Sequence, residues 1–384
     1  MPERIPNHFP TRGPVPPSDL VGRHDFVRSL VTRLELGENL IIAGPRRTGK
    51  SSVARAAAET LSQAGVTVIE LDIMKAPTAM AFAGTVYDAC VRHMAGPGAW
   101  WDKVASRVGG QASLKAKLGP FFELGLSLTQ TRQEPQNLLD KSLSLPTRLA
   151  ERKGKRTVVV MDEFQEASKI HPDFFRILRP YVVESGEVSY LFLGSRATLL
   201  RNLFIKQNEP LYRTAFDVEM VNPPEEEWRA YLSRKYEAVG IGCDGRALSA
   251  LLERTGCHPQ DIMMVAEHAY VRLIGENSDR LTVDVVAEAG DRTLTELSLA
   301  FQAEWESLSD LKGARIVLPR IASGEPIHRN LSHAESNAVT TALTRLRREG
   351  VISRGYRGRY SIRESLFAEW LRLLNLPTAK PGGF

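Results

Sequence analysis

Short apolar runs rich in β-branched and aromatic residues recur in the first 221 residues, and segments with helical spacing of apolar residues lie between them. Apolar runs that do not alternate with polar positions are typical of strands buried on both faces of a parallel sheet. The pattern therefore predicts an α/β domain in which helices cover a mostly parallel sheet. The predicted strands are residues 39–43, 67–73, 157–161, 190–194 and 215–221.

Other parts of the chain have different patterns. Six prolines among the first 17 residues predict an extended arm, with folding starting near Ser18, because each proline restricts itself and the residue before it. Between the second and third strands we expect helices and an insertion at residues 96–135. Apolar residues at i, i+3 and i+4 predict a small helical domain and a connecting helix after residue 222. The predicted organisation is an arm (1–17), an α/β domain (18–221), a helical domain with its connector (222–308), a third domain (309–376) and a tail (377–384).

The third domain has the pattern of a winged helix. A first helix is expected at residues 313–323, and an amphipathic helix at 332–349 begins with a serine cap. Gly350 ends that second helix, and the turn-rich segment 351–362 predicts a two-stranded wing.

Composition excludes several classes of protein. With 43% hydrophobic and 25% charged residues, the chain can bury a core, which excludes a disordered chain or a fibre. The three cysteines lack metal-ligand spacing and exclude a disulfide scaffold. Because no apolar run is long enough to cross a bilayer and the N-terminus lacks the apolar core of a signal peptide, we expect a cytoplasmic protein without a membrane partner.

Positive charge is concentrated near the C-terminus. The chain has 50 Lys and Arg against 45 Asp and Glu, a net charge of only +5, whereas residues 340–384 alone hold nine basic and three acidic residues, a net charge of +6. Arginines on a recognition helix and a wing suit the phosphates of duplex DNA, but they equally suit a solvated face or a winged helix that binds a protein. The candidate DNA contacts are Arg345, Arg347, Arg348, Arg357 and Arg359.

A phosphate-binding motif follows the first predicted strand. The segment GPRRTGKS fits G-x-x-x-x-G-K-[ST] at every fixed position and directly precedes a helix-compatible run. Backbone amides of such a loop surround the phosphates of ATP, the lysine contributes charge, and the serine hydroxyl binds Mg²⁺. The expected nucleotide-binding residues are Gly44, Pro45, Arg46, Arg47, Thr48, Gly49, Lys50, Ser51 and Ser52, with Ser51 also a metal ligand.

Two carboxylates follow the third predicted strand. Asp162 and Glu163 lie where an open α/β sheet presents residues to a ligand. We expect Asp162 to bind Mg²⁺ and Glu163 to activate the water that attacks the γ-phosphate. This pair of motifs belongs to ATPases whose sheet has another strand between the two motif strands. That strand should end in a polar sensor, and Ser195 lies there, although a serine at such a turn is also ordinary capping chemistry.

Five segments in order resemble the archaeal-type AAA+ ATPases, a group related to the STAND signalling ATPases. They are LVGRHDFVRSLVTRL, NLIIAGPRRTGKSSVAR, VVVMDEFQE, LFLGSRATLL and EPLYRTAFDVEM. The resemblance covers residues 18–375 and implies an α/β P-loop NTPase fold of the AAA+ type, within the ASCE class, with a helical lid domain and a C-terminal winged-helix domain.

The resemblance also implies roles for residues outside the phosphate loop. Gly22 and Arg23 match positions beside the adenine. Arg213 is the candidate arginine finger, although it lies one residue away from the family's usual position. The alternatives are that Arg213 is a surface arginine or that Arg201 supplies the finger. Many relatives continue into a nuclease-like domain that does not follow the winged helix here, so we expect no DNA cleavage by this polypeptide.

His258 and Pro259 match a turn of the family's lid that approaches the nucleotide. A proline at the first helical position accounts for the turn by itself, and a histidine there also suits capping or packing.

Three functions are compatible with these residues. In the first, ATP held between the α/β domain and the lid sets the position of the winged helix, and turnover is slow or stimulated by a partner. In the second, the protein is a DNA-associated regulator or a defence or mobile-element adaptor in which nucleotide occupancy is the signal. A metabolic kinase is the weakest, because the paired carboxylates suit water activation. The partners left open are duplex DNA, an effector protein and further copies of the chain.

Overall fold

The computed structural model describes residues 8–95, 134–355 and 358–374. Arg357, most of the insertion at 96–135 and the predicted tail at 377–384 lie outside these residues. Within the described ranges, no helix is both long and apolar enough to span a membrane.

The chain divides into two compact units. The sheet unit comprises His24–Gly44 and Lys50–Met220. The helical unit comprises Met1–Arg23, Pro45–Gly49 and Val221–Phe384. The segment Pro45–Gly49 therefore belongs by its contacts to the helical unit, although it connects two elements of the sheet unit.

A five-stranded parallel sheet is the centre of the sheet unit. Its order is β2-β3-β4-β1-β5, so β4 lies between the strand that precedes the phosphate loop and the strand that precedes Glu163. This confirms the predicted strand between the two motif strands. The strands are β1 (Leu40–Ala43), β2 (Thr67–Asp72), β3 (Thr157–Asp162), β4 (Val188–Gly194) and β5 (Phe216–Asp217).

Burial explains why the predicted strands are apolar, and the structure corrects the predicted bounds of the fifth strand. β1 and β4 are buried at every position, and β3 is buried at all but its last. The fifth strand is much shorter than the predicted 215–221, since it comprises Phe216 and Asp217, which pair with β1 and are both exposed. An edge strand pairs with a neighbour on one side only, so an apolar stretch of its sequence can continue beyond the residues whose backbone is paired.

Among the described residues, the helices of the sheet unit are α1 (His24–Glu35), α2 (Lys50–Gln63), α3 (Ala79–Ala95), α4 (Pro135–Lys153), α5 (Phe174–Glu184) and α6 (Ala197–Ile205). An aromatic cluster packs beneath the end of β3. Phe164, the residue after Glu163, is fully buried, and its ring centroid lies 4.4 Å from that of Phe192 on β4 and 6.1 Å from that of Phe204 on α6. These contacts fix the backbone where the predicted catalytic residues lie.

The first helices of the helical unit pack around their own apolar core. They are α7 (Glu225–Glu237), α8 (Gly245–Thr255), α9 (Pro259–Gly275) and α10 (Val283–Ser307), with a parallel pair of short strands, β6 (Gly242–Cys243) and β7 (Arg280–Leu281). Phe9 of the proline-rich segment is fully buried in this core, with its ring centroid 4.9 Å from that of Tyr236. Packing therefore begins before Ser18, where we expected folding to start.

The end of the helical unit has the element order predicted for a winged helix. We call residues 309–374 the C-terminal module. Phe301 of α10 packs against Phe367 of the module with ring centroids 5.4 Å apart, and Arg254 of α8 pairs with Glu369 at 2.8 Å. The module contains α11 (Ala314–Ser323), α12 (His333–Glu349), the antiparallel strands β8 (Ile352–Arg354) and β9 (Tyr360–Ile362), and α13 (Ser365–Leu374).

Candidate nucleotide site

The phosphate loop turns tightly between β1 and α2. Gly49 has a φ of +89°, a left-handed value that glycine adopts readily, and Arg47 has a φ of +66°, which is uncommon for a residue with a Cβ atom. Thr48 Oγ1 donates a hydrogen bond of 3.0 Å to the carbonyl oxygen of Pro45. The loop leads directly into a helix N-terminus, whose free amides attract phosphate.

The residues at the two ends of this loop are placed differently. Gly44 donates its backbone N–H to the carbonyl oxygen of Gly194 at 3.2 Å, which continues the pairing of β1 with β4. Lys50 and Ser52 are buried in the first turn of α2. Arg46 is exposed.

The two predicted metal ligands are in contact. Ser51 Oγ donates to Asp162 Oδ2 at 2.7 Å, and Asp162 Oδ1 accepts the backbone N–H of Glu163 at 2.8 Å. A hydroxyl and a carboxylate are hard oxygen ligands of the kind Mg²⁺ prefers, and Mg²⁺ usually takes its other ligands from water and phosphate. Ser51 and Asp162 therefore fit this ion, whereas no group of three or more His, Cys, Asp or Glu side chains in the described part of the chain could hold a metal.

Glu163 is held in an unusual conformation directly after β3. Its backbone is left-handed, with φ 52° and ψ 40°. Its Oε2 atom accepts hydrogen bonds from Ser195 Oγ at 2.7 Å, from the Ser195 backbone N–H at 3.3 Å and from Gln165 Nε2 at 2.5 Å. The structure thus brings Ser195, the predicted sensor, into direct contact with the predicted catalytic carboxylate.

Gln165 is a residue that the sequence analysis missed. It is only 8% exposed, although it lies in the short 3₁₀ helix Phe164–Lys169 that follows β3. Gln165 lies within the segment VVVMDEFQE, but it received no role there, because a glutamine in a turn after a strand is ordinarily exposed.

The two arginine-finger candidates have different surroundings. Arg213 is exposed, has a φ of +58°, and its guanidinium carbon lies 5.1 Å from the centroid of the Tyr212 ring. Arg201 Nε instead pairs with Asp217 Oδ2 at 2.6 Å, and its Nη2 donates to the carbonyl oxygen of Ala43 at 3.4 Å. Arg201 is therefore engaged within its own sheet unit.

Arg23 is an unusually buried guanidinium in the helical unit. It is 4% exposed, and its Nη1 and Nη2 atoms have no hydrogen-bond partner among the described residues. Burial lowers the pKa of Arg23 to about 10. The preceding Gly22 has a φ of +58°, and a Cβ atom there would lie 2.8 Å from Pro223 Cβ. Because a buried unpaired charge is destabilising, this side chain suits a ligand that supplies an acceptor.

His258 and Pro259 form the predicted turn at the start of α9. Pro259 is the first residue of this helix, and His258 immediately precedes it without making a side-chain cap. His258 Nδ1 lies 3.2 Å from Asp261 Oδ1, and Asp261 is completely buried. Burial lowers the pKa of His258, but Asp261 and the charge of Glu364 more than offset this effect, so that its pKa is raised.

Two acidic residues of the helical unit interact with Arg47 of the phosphate loop. Arg47 Nη1 lies 3.8 Å from Oε1 of Glu364, which directly precedes α13. Burial, together with the charges of Asp261 and Glu304, raises the pKa of Glu364 to about 7, against the opposing effects of His258 and Arg47. Burial also raises the pKa of Glu304, which Arg47 opposes. These carboxylates could not be found from the sequence, because they are distant from the motifs along the chain.

The candidate DNA-binding arginines lie on the surface of the C-terminal module. Arg345, Arg347 and Arg348 are exposed on α12, and Arg359 is exposed just before β9. Arg345 pairs with Glu349 at 2.8 Å, four residues further along the same helix. The described arginines therefore share a module, whereas Arg357 lies outside the described residues.

Comparison with known proteins rests on structure. No protein-family model matches the sequence, and no curated protein matches it either. The Walker-type ATPase of Pyrococcus abyssi aligns with 95% of this chain and 99% of its own, at 18% identity and a TM-score of 0.68. The ORC2 protein of Aeropyrum pernix in its ADP form aligns with 96% of this chain and 97% of its own, at 15% identity and a TM-score of 0.54.

A third structure extends the comparison to a nucleic-acid complex. The ORC1 protein of Aeropyrum pernix in complex with DNA aligns with 96% of this chain and 94% of its own, at 15% identity and a TM-score of 0.50. Together with the strand order, these alignments confirm the predicted fold: the chain has the α/β P-loop fold of the archaeal-type AAA+ ATPases.

Proposed function

We propose that this protein is a Mg²⁺-dependent ATPase whose nucleotide state is coupled to its C-terminal module. The observation that carries the proposal is the arrangement at the sheet edge. Ser51 contacts Asp162 at 2.7 Å, and the adjacent Glu163 is held by Ser195 at 2.7 Å. A phosphate-binding loop, a metal-binding pair and an anchored carboxylate are the parts that hydrolysis of a phosphoanhydride requires.

Each residue has a distinct task in this proposal. Lys50 and the amides at the start of α2 bind the phosphates, and Ser51 and Asp162 hold Mg²⁺, which would neutralise charge on the phosphate oxygens. Glu163 orients the attacking water and accepts its proton. Ser195 fixes the carboxylate of Glu163, and Arg213 serves as an arginine finger toward a second copy of the chain, because it is exposed.

The neighbours support a nucleotide ligand. The Pyrococcus abyssi protein is described as a Walker-type ATPase, and the ORC2 protein of Aeropyrum pernix was solved in an ADP form. The helical unit holds two further candidate nucleotide contacts, namely the buried guanidinium of Arg23, which has no hydrogen-bond partner among the described residues, and the turn at His258 and Pro259.

The ATPase proposal is tested by phosphate release from the full-length protein with ATP and MgCl₂. Lys50→Ala should abolish nucleotide binding, because it removes the cation that the phosphates require. Glu163→Gln should retain ATP binding and slow hydrolysis by about 10²–10⁴-fold. Glu187→Gln, at an exposed glutamate of the same unit, is the control and should have the wild-type rate. Wild-type turnover by Glu163→Gln would show that the carboxylate does not activate the water.

Coupling to the C-terminal module rests on contacts with the phosphate loop. Arg47 pairs with Glu364, and a Cβ atom at Gly350, which ends α12, would lie 3.0 Å from Pro45 Cγ. The phosphates of ATP would compete with Glu364 for the charge of Arg47, so that nucleotide binding alters the contact that holds the module on this loop.

DNA is the partner that we propose for the module. Its exposed arginines lie on the second helix and beside the antiparallel strands, and the ORC1 neighbour was solved in complex with DNA. If occupancy alone is the signal, ATP should change DNA affinity equally in the wild type and in Glu163→Gln. If turnover is required, ATP should change the affinity of the wild type only.

A further inference from the structure

We propose that Gln165 is a positioning residue for ATP hydrolysis, which holds one oxygen of Glu163 so that the other faces the attacking water. This inference rests on the proposed ATPase function and adds a residue to its machinery. Gln165 is 8% exposed, and its Nε2 atom donates to Glu163 Oε2 at 2.5 Å.

The hydrogen bonds around Glu163 are concentrated on one atom. Gln165 Nε2, Ser195 Oγ and the Ser195 backbone N–H all donate to Oε2. A carboxylate oxygen has about two lone pairs, so three donors saturate Oε2. The proton of an attacking water therefore goes to Oε1, and the three donors determine which way that oxygen points.

The orientation of the Gln165 amide follows from chemistry. If the amide were turned over, its oxygen would face Glu163 Oε2 and two acceptors would meet. With Nε2 on Glu163, the Oε1 atom of Gln165 is buried without a hydrogen-bond partner among the described residues. A buried acceptor without a partner is destabilising, so this side chain is not there to stabilise the fold.

The neighbouring strand is shaped to accept Gln165. A Cβ atom at Gly194, the last residue of β4, would lie 2.1 Å from Gln165 Oε1 and 2.9 Å from Leu200 Cδ2. Only glycine leaves room for the amide at this point. Gly194 also directly precedes Ser195, so the same strand end provides both the space for Gln165 and the second donor to Glu163.

The test compares Gln165→Met with the wild type in the full-length protein. Methionine has a similar length and no donor, so it should fill the site and remove the buried unpaired acceptor. We expect kcat for ATP hydrolysis to fall about tenfold or more, short of the loss expected for removing the carboxylate itself. The KM for ATP and the Kd for a fluorescent ATP analogue should stay within about twofold, and the melting temperature should be equal or higher.

Two further variants separate positioning from packing. Gln165→Glu keeps the shape and places a second carboxylate against Glu163, so its kcat should be lower than that of Gln165→Met. Gln63→Met, at an exposed position at the end of α2, should behave as the wild type. A wild-type kcat in Gln165→Met would overturn the inference, as would a loss of nucleotide affinity or stability that accounts for its lower rate.

Failure of the inference and failure of the ATPase proposal give different results. If the wild type releases phosphate faster than Lys50→Ala does, and Gln165→Met releases it at the wild-type rate, only the proposed role of Gln165 is wrong. If the wild type does not exceed Lys50→Ala, the protein is not an ATPase, and both proposals fall.

Discussion

Glu364 is a partly buried carboxyl group with other ionisable groups around it. Asp261 and Glu304 oppose its ionisation, whereas His258 and Arg47 favour it, and burial is the largest effect. The outcome is a pKa of about 7, well above the ordinary value of a glutamate. Because the folded state holds this proton more tightly than the unfolded state, stability that is present in acid is lost as the pH rises towards 7.

Replacing Glu364 with glutamine should therefore stabilise the protein at high pH. Glu364→Gln removes the ionising group and keeps its shape, so we expect a gain on the order of 1–3 kcal/mol in the free energy of unfolding at pH 8. The gain should shrink as the pH falls from 7 to 4, since the wild-type carboxyl group then becomes protonated. Urea unfolding over this range measures it, with Glu325→Gln at an exposed position of the same unit as the control. A variant less stable than the wild type at pH 8 would contradict the assignment.

Individual residues were predictable where a local motif determines their place. The loop from Gly44 to Ser51 and the pair Asp162 and Glu163 lie at strand ends because the chain order of strand, loop and helix places them there. Gln165 and Glu364 were not predictable. Gln165 occupies the space that Gly194 leaves at the end of β4, whereas the pKa of Glu364 is raised by burial and by the charges of Asp261 and Glu304, which lie far from it along the chain. Neither arrangement leaves a local pattern in the sequence.

At the scale of elements, α12 shows how local signals determine a boundary. Ser332 accepts the backbone N–H of Glu335, while the Glu335 side chain accepts the backbone N–H of Ser332 at 2.8 Å. This capping box satisfies two amides that the first turn leaves unpaired. Gly350, with a φ of 80°, ends the helix in a left-handed conformation. The predicted helix at 332–349 agrees with the structure for this reason.

Removing the cap should loosen the start of α12. Ser332→Ala loses the side-chain acceptor and should destabilise the helix by about 1 kcal/mol, with faster amide hydrogen exchange in its first turn. Ser332→Asp keeps an acceptor and should exchange as the wild type does. Ser336→Ala, within the same helix, is the control, because its side chain does not cap. Equal exchange in Ser332→Ala and the wild type would show that the capping box does not hold this turn.

Of the five strands, β5 was predicted worst, whereas β2, the other edge strand, was predicted to within one residue. β1, β3 and β4 have neighbours on both sides and are buried, so their sequences are almost wholly apolar. β5 pairs only with β1 over two exposed residues, and a pattern of apolar residues cannot show where such pairing stops.

At the scale of the whole molecule, the net charge of +5 is an average over unlike parts. Residues 340–384 carry +6, which leaves the rest of the chain close to neutral. The sequence showed this segregation directly. It did not show that Pro45–Gly49 packs with the helical unit, because that depends on contacts between segments about 200 to 300 residues apart along the chain. The segregation of charge and the packing of this loop both bear on DNA binding, because the basic C-terminal module and the phosphate loop belong to the same unit.

The distribution of charge leads to a test of DNA binding with matched charge changes. Arg347→Gln combined with Arg348→Gln removes two exposed charges from α12 and should weaken binding to duplex DNA about tenfold or more at low salt. Because each phosphate contact contributes about 0.9 to the slope of log affinity against log salt, the slope should become shallower by one to two. The control is the double change Arg28→Gln and Arg176→Gln, which removes the same charge at exposed positions of the sheet unit. If DNA binds through the C-terminal module, only the first pair reduces affinity and slope. Equal losses would mean that overall charge attracts the DNA, and no binding by the wild type at low salt would favour a protein partner for this module.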